Sequence, residues 1–504
     1  MKFLRVLCVL AIALCLTASV YAETQSVKVS GDLTMRGIFR NAYDYQGAPN
    51  EGAGTLGNID SSEQSWFMTV AEVEVDADLT DNVSTVIRLL NQRDWNVTDR
   101  AITNAGPGTL ATSPVPNGRG GYAPNTDEFD VMLDLAYVTL KDFIYSPLTL
   151  TIGRQDLWFG KGFIVGANQQ NPGVGWAGIQ GNRNVNLGNL NAPEYTAINS
   201  FDAVKAVLDY DPWTITGLYS KIYEDAIQAN DDVDLWGTNV GYKFDAYKAE
   251  AEAYWFFKKD NSAAEISPIK HGNDVHTFGL RGSFDPIDVI TLAAEGAWQG
   301  GQYVGSRTQL QSRDRSAWAL DASAECRYLT DKFAWKPKIG AEYIYYSGND
   351  PESNEAQATG DYTAWDPMYR GKFDSAIREF VGRFYSTARY PAQVDRMQSS
   401  ADASFNNQHQ IVFLGSIQPI ESLTLKANYN LFWNQFAYLA NGPAVDASKS
   451  KGFIGQEVDL QATWDYTEDV SFGILAGWFM PGDVYTDHLH DTATDLVGTV
   501  KVSF

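Results

Sequence analysis

Segments that alternate apolar and polar residues recur along almost the whole chain, and the gaps between them alternate between long and short. Ser26 to Arg40 places Val27, Val29, Leu33, Met35 and Phe39 on one side, with Lys28, Ser30, Asp32, Thr34, Arg36 and Arg40 on the other. Trp66 to Leu79 sets Phe67, Ala71, Val73, Val75, Ala77 and Leu79 against Glu72, Glu74, Asp76 and Asp78. Lys248 to Lys258 repeats the pattern, with Ala249, Ala251, Ala253, Trp255 and Phe257 opposite Lys248, Glu250, Glu252 and Lys258. Period two is the signature of a strand with one apolar face. It predicts about 18 strands, over 26–40, 64–79, 83–93, 129–141, 148–155, 201–210, 213–223, 234–244, 248–258, 276–284, 290–299, 316–328, 336–347, 406–417, 423–435, 455–464, 470–479 and 496–504. Most have the roughly 9–11 residues that a tilted strand needs to cross a bilayer.

The gaps carry as much information as the strands. Short turns at Thr80 to Asn82, Asp142 to Pro147, Asp211-Pro212, Asp245 to Tyr247, Asp285 to Val289, Leu329 to Trp335, Gln418 to Ser422 and Asp465 to Asp469 alternate with long excursions. The largest excursions are Asp156 to Ser200 and Gly348 to Phe405. Short turns on one face and long loops on the other characterise outer-membrane barrels. The fold class expected is therefore all-β: a transmembrane antiparallel up-and-down β-barrel of about 18 strands, with short periplasmic turns and long extracellular loops. Mean hydropathy is only −0.26, yet this is no objection. A closed barrel pairs every backbone N–H and C=O, and only alternate residues face lipid. The length of 504 residues thus belongs to one domain rather than several.

The ends of the chain agree. Met1 to Ala22 reads as a cleaved secretory signal: Lys2 and Arg5 are followed by apolar Leu7 to Leu16 and a small-x-small-like site at Val20-Tyr21-Ala22. Residues 23–504 are then the mature barrel. Its formal charge falls from −24 to −26, because Lys2 and Arg5 leave with the signal. Cys8 and Cys15 leave too, so Cys326 stands alone and no intramolecular disulfide can form. Leu496 to Phe504 is an alternating last strand with a terminal aromatic, which resembles the assembly signal of bacterial outer-membrane proteins. Phe504 is accordingly the expected contact for the barrel-assembly machinery of a Gram-negative cell. Aromatics gather at strand ends (Tyr43, Tyr45, Trp158, Phe159, Trp433, Trp478 and Phe479 among them), as in interfacial girdles next to lipid and lipopolysaccharide.

Barrels of 16–18 strands enclose water, so charges on the polar parity line a lumen. The cations there are Lys28, Arg36, Arg40, Arg88, Lys205, Lys243, Arg281, Arg327 and Lys426. The carboxylates include Glu72, Glu74, Asp76, Asp78, Asp130, Asp134, Glu250, Glu252, Glu295, Asp321, Glu325, Glu457 and Asp459. Arg and Lys rings favour anions and acidic rings favour cations. With both signs present, selectivity does not follow from the count. The Gly-, Asn- and Gln-rich segment 156–200 is either an infolded constriction or a surface loop. The 348–405 excursion, with Asp350, Asp361, Asp366, Arg370, Lys372, Arg378, Arg383 and Arg389, is expected to cap the outer mouth.

Several motifs carry a family resemblance. Gly153-Arg154-Gln155-Asp156-Leu157-Trp158-Phe159-Gly160 resembles the Gly-Arg-Gln segment of the alginate export family of outer-membrane porins. Tyr345 to Pro351, Trp365-Asp366-Pro367 and Tyr369-Arg370-Gly371 are similar to that family's long-loop pattern, as are Gly455 to Leu460 and Gly477 to Asp483. The resemblance implies an 18-stranded, monomeric barrel passing a polysaccharide or other polar, possibly anionic, solute by passive diffusion. It also implies that Arg154 lines the pore, although on strict parity Arg154 falls with Leu148, Leu150 and Ile152, so that a bulge or the strand end would have to turn it inward. The mixed lumen here differs from the strongly cationic conduit of that family's alginate exporters.

Other function classes find less support. So acidic a chain lacks the basic footprint of nucleic-acid binding. Five histidines (His271, His276, His409, His488 and His490) and no Gly-x-Ser-x-Gly elbow give no nucleophilic constellation, so no enzyme is expected. Asp487-His488-Leu489-His490-Asp491 offers metal-ligand residue types but reads as a solvated loop tip, and Asp231 to Asp234 lacks the spacing of a recognised calcium loop. No cofactor is expected, and no Cys-x-x-Cys-His haem motif occurs. The alternative to a channel is a structural barrel sheathing a partner such as an electron-transfer cytochrome, which needs a wide lumen without an infolded loop.

Overall fold

The computed structural model describes residues 25–42, 45, 63–95, 131–168, 192–224, 232–245, 248–261, 273–304, 312–327, 332–349, 360–381, 406–436, 452–485 and 490–504. The signal segment, Arg383, Arg389 and the Asp487 to Leu489 part of the histidine loop lie outside them. Among the described residues there are eighteen strands: Ser26–Asn41 (β1), Glu63–Thr80 (β2), Val83–Asp94 (β3), Met132–Leu140 (β4), Leu148–Gln155 (β5), Phe201–Asp209 (β6), Trp213–Tyr223 (β7), Val233–Phe244 (β8) and Ala249–Asp260 (β9). They continue with Asn273–Ile287 (β10), Ile290–Val304 (β11), Ser312–Cys326 (β12), Lys338–Tyr346 (β13), Gln408–Ile420 (β14), Leu423–Asn434 (β15), Phe453–Asp465 (β16), Val470–Pro481 (β17) and Ala493–Ser503 (β18).

Every strand pairs antiparallel with its sequence neighbour, and β1 pairs with β18, from Asp32 opposite Ser503 to Asn41 opposite Thr494. The sheet closes on itself and leaves no edge. Alternation along each strand sorts the two faces. In β10, Val275 and Thr277 are fully buried, whereas Phe278 and Leu280 are 48% and 69% exposed. Outward Val27, Val29, Ile87, Leu133, Ile339, Phe413 and Ile474 are likewise exposed, which is the expected state of side chains that meet lipid.

The expected strands are all present, and the differences lie at their ends. β11 runs on to Val304 and β12 starts at Ser312, beyond the alternating stretches, through Gly300-Gly301-Gln302. Above the apolar band a strand needs only backbone pairing, so its residues need not alternate. Gly301 sits there at φ +128°, a value open to glycine. β10 continues through Asp285 to Ile287 with a register shift after Phe284, where a turn was expected.

The seam is completed by the last residue. Gly31 N–H donates to the Phe504 carbonyl and Phe504 N–H to the Gly31 carbonyl, each at 2.9 Å. A Cβ on Gly31 would stand 2.6 Å from the Glu72 carbonyl oxygen and 2.7 Å from the Phe504 ring. The ring thus covers a backbone that has no side chain of its own. Gly31→Val should cost on the order of 1–3 kcal/mol of overpacking and lower the temperature at which the folded band converts on heat-modifiability gels. An unchanged midpoint would show that the seam tolerates the bulk.

Candidate functional site: a lumen narrowed by two infolded loops

The described parts of the two largest excursions, 156–168 with 192–200 and 360–381, turn into the barrel. The inward parity of β6 to β14 is apolar toward the long-loop end: Phe201, Ala203, Leu218, Leu235, Phe256, Ala297, Ala317, Tyr346 and Val412 are buried. Left against water this wall would be costly. Leu157, Phe163, Ile164 and Val165 from the first loop, and Trp365, Met368 and Tyr369 from the second, pack onto it as one core. The 360–381 segment therefore lies inside the lumen, not over the outer mouth as expected.

The loops are also paired with each other. Tyr369 N–H donates to Ile164 O at 3.0 Å, Gly166 N–H to Tyr369 O at 2.7 Å and Gly371 N–H to Gly162 O at 2.8 Å. The two backbones cross at Gly166 and Gly371. A Cβ on Gly371 would lie 2.8 Å from Gly166 Cα, and one on Gly166 would lie 2.9 Å from Gly371 Cα. Only a residue without Cβ fits either position at that spacing.

Buried charges hold this plug to the acidic wall. Lys372 reaches Asp321 at 2.7 Å, Glu342 on β13, and Asp374 at 3.3 Å. Burial alone would depress the Lys372 ammonium, but Asp374, Asp321 and Glu342 outweigh it and hold its pKa above the usual value. Asp366 meets Lys258 at 2.5 Å and is locked by Gln299, which both donates to its carbonyl (2.8 Å) and accepts from its N–H (2.9 Å). Burial would raise the Asp366 pKa, yet Lys258 and Arg315 keep it below the ordinary carboxylate range. Arg370 pairs with Glu379 at 2.9 Å. One turn of π-helix, Ala376–Val381, docks on β16: Glu457 accepts the N–H groups of Ile377 (2.6 Å) and Arg378 (3.0 Å), and Asp459 that of Ala376 (3.2 Å). Removing one partner from such buried pairs leaves an uncompensated charge.

Space remains on the opposite side. A cavity of about 450 Å³ is lined by Arg36 and Arg88 of the wall and by Asp156, Trp158, Tyr195, Thr196, Asn199, Gly371, Phe373 and Phe380. A second, of about 280 Å³, lies between Lys426, Asn428, Asp459 and Gln461 on β15 and β16 and the same Tyr195, Phe373 and Phe380. The three aromatics form a common wall.

A family model described as "Alginate export" matches residues 61–499. The chain belongs to the alginate export family. No curated protein matches it. Among solved structures it is similar to Pseudomonas aeruginosa OpdQ (TM-score 0.50, 11% identity, 96% of this chain and 99% of that one), OpdL (0.50, 10%, 95% and 99%) and OpdO (0.51, 10%, 96% and 98%). At such identities the likeness is one of fold. Family and fold together make this an outer-membrane channel.

Within this alginate-export barrel the expected site residues separate into groups. Arg36 lies over the Tyr195 ring, 5.0 Å from Cζ to centroid, and has no hydrogen bond or ion pair among the described residues. Lys205 and Lys426 likewise have none. Lys205 stands opposite inward-facing Thr151. Arg88 lines the larger cavity but is saturated, 2.7 Å from Asp134 and 3.5–3.7 Å from Glu72, Glu74 and Asp156. Arg281 is likewise bound to Glu250 (2.6 Å) and Glu252 (2.5 Å), in one register row with Glu295 and Asp321. Glu295 accepts the Tyr254 hydroxyl at 2.8 Å. Arg40 is buried against Glu194 and Asp495, so it anchors the 192–200 segment. Arg327 bridges Asp285 (3.2 Å) and Thr291 (2.6 Å) at the short-turn rim.

Arg154 is a correction. It stands opposite Asp202, on the outward parity of Ile152 and Val204, with Nη1 3.3 Å from that carboxylate. Gly153 takes φ +123° without moving Arg154 to the lumenal side, because both neighbouring registers hold it. Sequence reasoning also missed Tyr195, Phe373 and Phe380. No periodicity marks loop aromatics, and the length and Gly-, Asn- and Gln-rich composition of 156–200 left an infolded constriction as one of two readings.

Glu457→Ala removes a charged acceptor from two amides, a loss on the order of 3 kcal/mol. Single-channel records of this variant, and of Gly371→Ala, should show larger and noisier conductance than wild type while the barrel stays heat-modifiable. Unchanged records would mean that these contacts do not hold the plug.

Proposed function

We propose that the channel passes a polar, carboxylate-bearing solute, a saccharide or similar molecule, by passive diffusion past the constriction. The observation that carries this reading is the contrast between paired and unpaired charge. Carboxylates of the wall are engaged: Glu250 and Glu252 by Arg281, Asp321 and Glu342 by Lys372, Glu72 and Asp134 by Arg88. Arg36 and Lys426, which line the two cavities, are engaged by no hydrogen bond or ion pair among the described residues. An unpaired guanidinium in a confined aqueous passage attracts anions, and low dielectric around it strengthens the attraction. The cavities also hold Asp156, Glu194, Asp374 and Asp459, so Arg36 and Lys426 act as local anion-attracting points in a lining of both signs.

The sheathing alternative needs an open bore. Here the inward face of β6 to β14 is covered by the two loops, which supports the channel reading over a sheath for a folded partner. The family match and the porin-like fold support a channel rather than an enzyme.

In planar bilayers, uronate oligomers should block the wild-type current more strongly than neutral oligosaccharides of equal length. Arg36→Gln should weaken the uronate block by about tenfold, the equivalent of ~1.4 kcal/mol, and leave the neutral block unchanged. Equal block by charged and neutral oligomers would refute the reading.

A further inference from the structure

Trp158 stands just past the long-loop end of β5, where a girdle aromatic was expected, yet it turns inward and lines the larger cavity. Its indole rests on glycines. A Cβ on Gly162 would lie 2.5 Å from Cζ2, 2.7 Å from Cη2 and 2.9 Å from Cε2, one on Gly371 would lie 2.7 Å from Cζ3, and one on Gly166 3.0 Å from Cε3. Nearly equal distances to three consecutively bonded atoms put Gly162 over the face of the ring rather than at its edge. Gly162 takes φ +77°, a backbone open to glycine, and the indole Nε1–H donates to Gly160 O at 3.0 Å. The seat fills one side only. Trp158 remains 56% exposed and is not part of the core that holds Phe163 and Tyr369. An aromatic face left open beside water is costly, and here it is held rigidly in that state.

The same cavity offers a solute one cation and one carboxylate. Arg36 has no hydrogen bond or ion pair among the described residues. Asp156, two residues before the indole, has a side chain 58% exposed, and its ion pair among the described residues is with Arg88 at 3.5 Å, a guanidinium that Asp134 holds more closely at 2.7 Å. The other carboxylate of this lining, Glu194, is fully buried against Arg40.

We infer that the larger cavity is a site for a small zwitterion, with its ammonium group on the open face of Trp158 beside Asp156 and its carboxylate toward Arg36. The inference rests on the proposed function for the carboxylate end and adds the group at the other end. Among aromatic side chains the indole face attracts a cation best, and quaternary ammonium ligands are recognised in this way. The occupant is therefore of the betaine class, a quaternary ammonium joined by a short chain to a carboxylate. About 450 Å³ lies within the roughly 300–1,000 Å³ of small-molecule sites. A simple carboxylate meets only Arg36, and a simple ammonium meets only Trp158 and Asp156. A molecule with both ends should be held longer than either half.

The test is the block of potassium chloride current through the full-length channel by glycine betaine, read from current noise as an apparent binding constant. Acetate and tetramethylammonium serve as its two halves. Wild type should bind betaine about tenfold more tightly than either half, equivalent to ~1.4 kcal/mol. Trp158→Leu should bring betaine down to the level of acetate, and Trp158→Phe, which returns an aromatic face to the glycine seat, should recover part of the difference. Asp156→Asn, at an exposed side chain outside the packed core, should weaken betaine and tetramethylammonium together. Betaine bound no better than acetate in wild type, with acetate binding still lost in Arg36→Gln, would overturn the zwitterion site and leave the carboxylate-passing channel standing. So would betaine block unaltered in both Trp158→Leu and Asp156→Asn. Tetramethylammonium bound as tightly as betaine would overturn the zwitterion and assign Trp158 and Asp156 to simple cations. Acetate and betaine both indifferent to Arg36→Gln would overturn this site and the proposed function together.

Discussion

A backbone amide in hydrocarbon must find its partner within the protein, and that requirement organises everything else in this chain. Eighteen strands satisfy it by closing β1 on β18, with Phe504 completing the last exchange at Gly31. Closure at that strand number brings a wide bore, and a wide bore creates a second problem. Its inward surface must be wet, or else be covered by something that is itself fully hydrogen-bonded. The chain does both, on different sides. The β6 to β14 side is covered by two loops that share a core with it, and smaller clusters seat Ala192 and Ile198 on β1 to β3 and Ile377 and Val381 on β15 to β17, leaving two cavities between them.

Covering the wall with loops places charges where water is scarce, and each is answered. Lys372 sits among Asp321, Glu342 and Asp374, Lys258 meets Asp366, and Arg40 meets Glu194 and Asp495. Buried ion pairs add little net stability, but they are unforgiving of displacement, and that makes them good at fixing one position of a loop. The consequence for function is indirect. The pairs engage several of the wall's carboxylates, while among the described residues Arg36, Lys205 and Lys426 carry no ion pair.

Much of the fold was legible because strand periodicity and loop rhythm are local. The strands expected over 148–155 and 213–223 agree with β5 and β7 to the residue, and the inward parity of Arg36, Arg281 and Lys426 followed from alternation alone. The site was less legible. Charge counts along the lumen gave mixed signs, since counting cannot tell Arg88, with four carboxylates around it, from Arg36, with none in contact. That difference arises from cross-strand registers and from loop segments far away in sequence, such as Lys372 reaching β12. Arg154 shows the converse error: a motif resemblance assigned it inward, whereas the plain parity of β5 placed it correctly. The loop at 360–381 was read as a cap because its polar and charged residues look like surface. Its buried charges Asp366 and Lys372 are answered by Lys258 on β9, Asp321 on β12 and Glu342 on β13, partners that the folded barrel supplies.

The central claim is that the net-acidic chain offers passing solute the cations Arg36 and Lys426, which have no ion pair among the described residues, while Arg88, Arg281 and Lys372 occupy Glu72, Asp134, Glu250, Glu252, Asp321 and Glu342 of the wall. It is tested most directly by the reversal potential of the purified wild-type channel in a bilayer separating two concentrations of potassium chloride. The account predicts a potential of the sign that marks chloride as the more permeant ion, decaying toward zero as both solutions are made more concentrated and the fixed charges are screened. A reversal potential of the opposite sign, marking potassium as the more permeant ion, would contradict it.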